Sequence, residues 1–229
     1  MTRTLYSLCG ASRARLFSPH CWKVVMALAH KGLDFEEVAL TFTEIPEVGK
    51  GASATVPFLK DGETIVSDSF AIARYLDEIY PDRPSLFKGE GGIALSRMVE
   101  GWSQTQLHPA IARIALLDIH DILDEQNKAY FRASREKSFG KPLESVVADR
   151  AAEEAAFPGR LQPLRHMLKF QNFIGGDTPL FADYIVFGAL QWLRVTSSLE
   201  FMAKDDPVMI WFDRCLDLHD CRGRAVSLS

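Results

Sequence analysis

The sequence predicts a two-part chain, an α/β unit followed by an all-α unit, and three observations carry that reading. Strand-like and helix-like runs alternate up to about residue 82. The stretch PDRPSLFKGEGG at 81–92 is then rich in proline and glycine, the composition of a connection. Beyond it every apolar pattern has the helical period. At 229 residues the chain is long enough for two small domains or one large one, with a sizeable core in either case.

The first unit is predicted element by element. Thr4 to Leu8 form a short strand, followed by a polar loop through Arg15. Ser18 before Pro19 is the pattern of an N-cap with proline at the first helical position, and Gly32 after Lys31 closes that helix. From Phe35 to Phe42 the apolar residues Val38, Leu40 and Phe42 alternate with others, which predicts a second strand and then a loop of about a dozen residues. Val56 to Leu59 and Thr64 to Val66 flank Asp61-Gly62, a hairpin signal. Ser67, Asp68 and Ser69 offer N-caps for a helix carrying Ile72, Tyr75, Leu76 and Ile79 on one side, ended by Pro81. Strand, helix, strand, loop, strand, strand, helix is the order of a thioredoxin-like unit. The expected divisions are a domain over 1–82, a linker over 83–92 and a helical domain over 93–229. Helices are expected near 93–123, 127–138, 142–156, 159–171, 181–198 and 206–219, with interruptions at Pro109 and Pro158.

Composition narrows the function. Apolar content of 47%, charged content of 24% and a formal charge of -4 describe a globular protein with no basic field for nucleic acid. The longest aliphatic run near the N-terminus, VVMALA, is too short to span a bilayer, and no apolar h-region follows Met1, so neither membrane insertion nor secretion is expected. Four cysteines, at 9, 21, 215 and 221, are too sparse for a disulfide framework, and a cytoplasmic location with reduced thiols is expected.

Three short motifs carry chemistry. In FSPHCWK a serine stands where thiol-disulfide oxidoreductases place the nucleophilic cysteine of Cys-Pro-x-Cys, at a helix start that stabilises a thiolate. Val56-Pro57 opens the hairpin, where a proline is either a plain edge-strand residue or one that turns the preceding backbone toward a ligand. Asp68-Ser69 lies at a helix N-terminus, suited to a carboxylate ligand or simply to capping. One fold would bring all three to one edge of one domain.

In their order, SPHCW, TVPFL, SDS and the later TPLFADYIVF resemble the glutathione S-transferase family over nearly the whole chain. Within that family LLDIHD at 116–121, YFRASRE at 130–136 and DDPVMIWFDRCLDLHD at 205–220 look most like the bacterial glutathione-dependent β-aryl etherases and the fungal etherase-like transferases. The resemblance implies a thioredoxin-like domain followed by a helical glutathione-transferase domain, with glutathione as co-substrate. It implies a catalytic Ser18 hydroxyl at the glutathione sulfur, Val56 as backbone clamp on its cysteinyl part, Pro57 as the cis-proline, and Asp68 and Ser69 holding the γ-glutamyl group. Trp102 and His108 fall where the family builds its hydrophobic-substrate pocket, a small aromatic electrophile is the implied partner, and a homodimer is the implied assembly.

Departures from the family pattern raise further expectations. Thr55 stands where a basic residue often precedes Val-Pro, which leaves Lys50, Arg13 or Arg15 to face an anionic ligand. Leu180 replaces the usual capping side chain ahead of Phe181-Ala182-Asp183, leaving Asp183 to reach back to backbone N–H groups. Cys21 is open to two readings, a low-pKa redox thiol or a small core residue. Cys215, His219 and Cys221 have a spacing that could supply three metal ligands or none, and Asp118, His120 and Asp121 could be acid–base groups or a charged helix face.

Overall fold

The computed structural model describes residues 3–49, 53–226 and 228. β1 (Arg3–Leu8) leads through a loop to α1 (Pro19–His30), β2 (Glu36–Leu40), α2 (Ile45–Gly49), β3 (Phe58–Asp61), β4 (Thr64–Ser67) and α3 (Ser69–Ile79). The strands form one mixed sheet in the order β2-β1-β3-β4, with β1 parallel to β2 and antiparallel to β3. Leu5 of β1 sits between Glu37 and Leu59 in register, and the buried Leu5, Leu8 and Leu59 turn apolar faces to the helices. This is the expected thioredoxin-like unit, with two local differences. The stretch after β2 is not all loop, because Glu44 caps a short helix there: its Oε2 accepts from the Thr41 amide at 2.8 Å. Ile79, expected on the inner side of α3, is 54% exposed, because it lies in the last turn where the helix leaves the core.

The second half is helical: α4 (Glu90–Trp102), α5 (His108–Asp121), α6 (Glu125–Phe139), α7 (Leu143–Val146), α8 (Arg150–Arg160), α9 (Gln162–Met167), α10 (Phe181–Thr196) and α11 (Pro207–Leu216). α4 begins at Glu90, inside the stretch read as linker. The expected break at Pro109 falls one turn earlier. Ser103–Leu107 widen into a π-helical turn in which the His108 N–H donates to Ser103 O. Proline lacks an N–H and crowds the carbonyl four residues back, and a wider preceding turn relieves both defects. Pro158 lies inside α8 and leaves that helix unbroken until Arg160, while the expected 142–156 helix divides at Val147–Asp149.

α10 is the axis of the molecule. Nearly every residue from Phe181 to Leu193 is buried, so the helix is apolar all round rather than amphipathic. It packs along α1, where Phe187 meets Trp22 edge-on at 6.1 Å, and Gly188 permits the approach because a Cβ there would lie 2.4 Å from Pro19 O. Tyr184 closes the same seam: its hydroxyl lies 2.7 Å from His30 Nδ1 and 3.0 Å from His219 Nε2. Asp183 does reach back as expected, accepting from Leu180 N at 3.0 Å, and it also accepts from Ile174 N, Gly175 N and Trp211 Nε1.

Candidate active site

Ser18 adopts an extended conformation at the start of α1, and its Oγ accepts from the Cys21 amide at 3.3 Å. The loop before it is pinned from three sides: Phe17 N donates to Leu8 O, Cys9 bridges Leu16, and Trp22 Nε1 donates to Leu16 O at 3.0 Å. The helix thus engages the Ser18 oxygen as an acceptor. Ser18 is only 5% exposed, and the small exposed part opens into a cavity of about 470 Å³.

That cavity has walls from both halves of the chain. Ser18, His20 and Val56 come from the first, His108 from α5, Tyr130, Phe131 and Arg135 from α6, and Trp192 from α10. The Val56-Pro57 peptide is cis, and among the described residues neither the Val56 N–H nor its C=O has a hydrogen-bond partner. Pro57, Asp68 and Ser69 stand outside the cavity wall. Asp68 caps α3, accepting from Phe70 N at 3.0 Å and Ala71 N at 2.9 Å through one carboxylate oxygen, at a positive φ of 73°. A non-glycine residue in that region costs about 1 kcal/mol or more and is found where a loop is held for a purpose. Ser69 is buried beside it.

His108 lines the cavity, whereas Trp102 faces a separate apolar groove with Met98, Leu164 and Met167. The two residues, expected in one pocket, lie six apart along the helix and so face different surfaces. The rings of His108 and His20 lie 5.2 Å apart, and His108 stacks toward Trp192 at 5.6 Å. Burial pushes both histidines down to about 3, with the Lys23 charge adding to the effect on each, so both imidazoles are neutral at ordinary pH. Among the described residues, the buried His108 Nε2 has no hydrogen-bond partner. Just beneath, Lys23 is wholly buried, its Nζ 3.6 Å from Glu100 Oε1 and free of hydrogen bonds among the described residues. Burial lowers its pKa, and Glu100 and Asp68 oppose that shift.

The remaining candidates do not reach this site. Burial pushes the Cys21 thiol up to about 11, so it is a core sulfur and no thiolate. Arg13 is held by Glu44 through two contacts of 2.6 Å, Arg15 donates to Leu228 O, and Lys50 lies outside the described residues. Asp118 pairs with Arg150 at 2.8 Å and His120 with Asp121 at 3.1 Å, a charged helix face rather than an acid–base pair. Cys215 is buried on α11, His219 is bonded to Tyr184 and Cys221 is exposed, so the three do not converge. Missed from sequence were His20, Lys23, Glu100 and Arg135. The i, i+3 spacing of His20 and Lys23 on the helix opened by Ser18 was the one available signal.

Comparison with known proteins then decides the family. Residues 14–84 match the model of the glutathione S-transferase N-terminal domain, and residues 94–212 match that of the glutathione S-transferase C-terminal domain. The chain belongs to the glutathione S-transferase family. Among family relatives, the glutathione S-transferase-like protein ustS of Aspergillus flavus is 26% identical, with 81% of this chain and 76% of that protein covered. The crystal structure of glutathione transferase GSTFuA3 from Phanerochaete chrysosporium is 26% identical with a TM-score of 0.78, covering 96% of this chain and 92% of that one. A glutathione S-transferase of Ceriporiopsis subvermispora, solved in complex with glutathione, is 24% identical with a TM-score of 0.80, covering 95% and 96%. At that identity it speaks for the transferase fold alone.

Proposed function

We propose that this family member is a glutathione transferase in which Ser18 donates its hydroxyl proton to the glutathione sulfur and so stabilises the thiolate. The observation that carries this is the placement of Ser18: its oxygen accepts from the Cys21 amide, and its side chain lines a cavity at a helix N-terminus. A free thiol of pKa about 8.5 is only about 3% ionised at pH 7, and lowering it by about two units takes roughly 2.7 kcal/mol. A hydrogen bond to a charged acceptor contributes about 1.5–3 kcal/mol and a helix N-terminus about 0.3–1 kcal/mol. The two suffice together. The backbone of Val56, unpaired among the described residues, supports its role as clamp on the cysteinyl part, beside cis-Pro57, and the second carboxylate oxygen of Asp68 with the neighbouring Ser69 supports theirs at the γ-glutamyl group.

The thiolate attacks an electrophilic carbon of an aromatic substrate seated among Phe42, Tyr130, Phe131 and Trp192. In the etherase form of the reaction the carbon lies next to a carbonyl. The carbon–sulfur bond forms, the carbon–oxygen bond breaks, and a phenolate leaves with the bonding pair. A phenol of pKa about 10 departs without a strong acid. His108, neutral and with Nε2 unpartnered, donates in its Nε2–H tautomer to the substrate oxygen. We extend the reading to a cytoplasmic homodimer on the strength of the family resemblance. Among the described residues no helix is long and apolar enough to cross a membrane.

Ultraviolet titration of the thiolate in glutathione-loaded protein, from about pH 5 to 9, tests the assignment. Wild type is expected to ionise about one to two units below free glutathione, and Ser18→Ala to return toward the free value. An unshifted thiol in wild type, or the same shift in both proteins, would overturn the Ser18 mechanism. Release of phenol together with a glutathione thioether from an α-aryloxy ketone tests the ether step separately.

A further inference from the structure

Arg135 stands on α6 in the wall of the cavity, and the carboxylates around it are spoken for. Glu136 and Glu144 both pair with Arg132 at 2.9 Å, and Glu44 pairs with Arg13. Among the described residues the polar contact of Arg135 is a single hydrogen bond to Ser134 Oγ at 3.3 Å. Its guanidinium instead lies over aromatic faces, 5.0 Å from the Phe131 centroid and 5.8 Å from that of Phe42. Stacking of this kind holds the planar group in place and leaves its N–H edge open. The other surroundings are Tyr130 and Phe139, so the cation is partly withdrawn from water without an anion to offset the loss, and burial accordingly lowers its pKa. Burying an unpaired cation in an aromatic wall is costly, and a carboxylate offered by a ligand would remove that cost while matching the fork of the guanidinium.

We propose that the cavity selects aromatic acceptors that carry a carboxylate, with Arg135 as the residue that pairs with it. This rests on the transferase reading and deepens it by naming the class of the second substrate. The ring lies against Phe42 and Phe131, the carboxylate meets the N–H edge of Arg135, and the reacting carbon is left toward Ser18 and His108, which line the same cavity. Among the described residues, Arg135 is the one lysine or arginine in the wall of this cavity.

Calorimetric binding of naphthalene-2-carboxylate and of naphthalene-2-carboxamide, without glutathione, tests the proposal on the intact protein. Wild type is expected to bind the acid about tenfold or more tightly than the amide, as one charge-assisted hydrogen bond implies. Arg135→Gln should erase the preference while leaving the amide affinity alone, and Arg135→Lys should keep part of it. Equal affinities in wild type, or a preference that survives in Arg135→Gln, would overturn the proposal. Glutathione carries a glycyl carboxylate of its own, so the ratio of affinities for glutathione and its glycyl ethyl ester is measured in parallel. That ratio should not change in Arg135→Gln. A change there with an unaltered acid preference would assign the cation to the tripeptide and overturn the proposal too. Neither measurement involves thiolate chemistry, so a protein that fails the Ser18 titration yet prefers the acid would sink the mechanism and spare this inference.

Discussion

At the scale of single residues, Lys23 poses the sharpest energetic question. Its ammonium is wholly buried with one carboxylate at 3.6 Å and no hydrogen bond among the described residues, so the desolvation cost of the charge is poorly offset. Glu100, by contrast, keeps Arg97 at 2.9 Å and part of its exposure. Replacing the lysine with an isosteric apolar side chain therefore leaves no stranded partner. Lys23→Met is expected to hold or raise the unfolding free energy measured in urea, by up to about 2 kcal/mol, whereas Glu100→Gln should cost about 1–3 kcal/mol because it abandons the lysine. A loss above about 2 kcal/mol in Lys23→Met would show that the pair is net stabilising. At this scale Ser18 was legible from sequence, because a serine followed by proline is a local capping pattern that needs no tertiary knowledge. Lys23 and Arg135 were not. Which charges end poorly paired depends on which acids other arginines have already taken, and that is settled only in three dimensions.

At the scale of elements, the α1–α10 packing and the π-helical turn do most to position the chemistry. Gly188 brings the backbone of α10 against Pro19, the residue after Ser18, and a methyl group there would overlap Pro19 O. Gly188→Ala is expected to lose about 1–3 kcal/mol of stability through overpacking. Because the strain falls on the first turn of α1, it should also raise the pKa of bound glutathione. Urea unfolding and the thiolate titration together check this, and a destabilised protein with an unchanged thiol would disprove the positional coupling. The elements with strong local punctuation, α1, the β3–β4 hairpin and α3, were legible with their caps. Others were hidden: α2 is made by a glutamate side chain folding back on Thr41, and the π-helical turn answers a proline that lies after it.

At the scale of the whole molecule, both histidines of the cavity are neutral because the two halves of the chain bury them together. His20 and His108 are pushed down to about 3, and His219, on the Tyr184 bridge, down to about 4, each chiefly by burial. In the unfolded chain they titrate near 6.5. Between these values the unfolded state binds protons that the folded state refuses, so stability is retained above about pH 6.5 and falls as the pH drops toward 4. Each histidine contributes up to about 1.4 kcal/mol per pH unit in that window. The urea midpoint should therefore fall between pH 7 and pH 5, and His108→Gln should lessen the fall; a flat midpoint would contradict the burial assigned here. The two-part architecture was legible because the change from alternating to helical periodicity is a property of long stretches. The cavity was not, since its walls come from residues far apart in the chain and sequence pattern does not show which faces converge.

The bond from Cys21 N to Ser18 Oγ has an evolutionary reading. It keeps a hydroxyl at the head of α1 directly above a sulfur that the core has silenced. Ser18→Cys would complete Cys-Pro-x-Cys, in which the first thiolate attacks and the second resolves the mixed disulfide. Borrowing sulfur from a diffusible tripeptide and owning a dithiol are thus neighbouring solutions, separated at this position by one atom of oxygen.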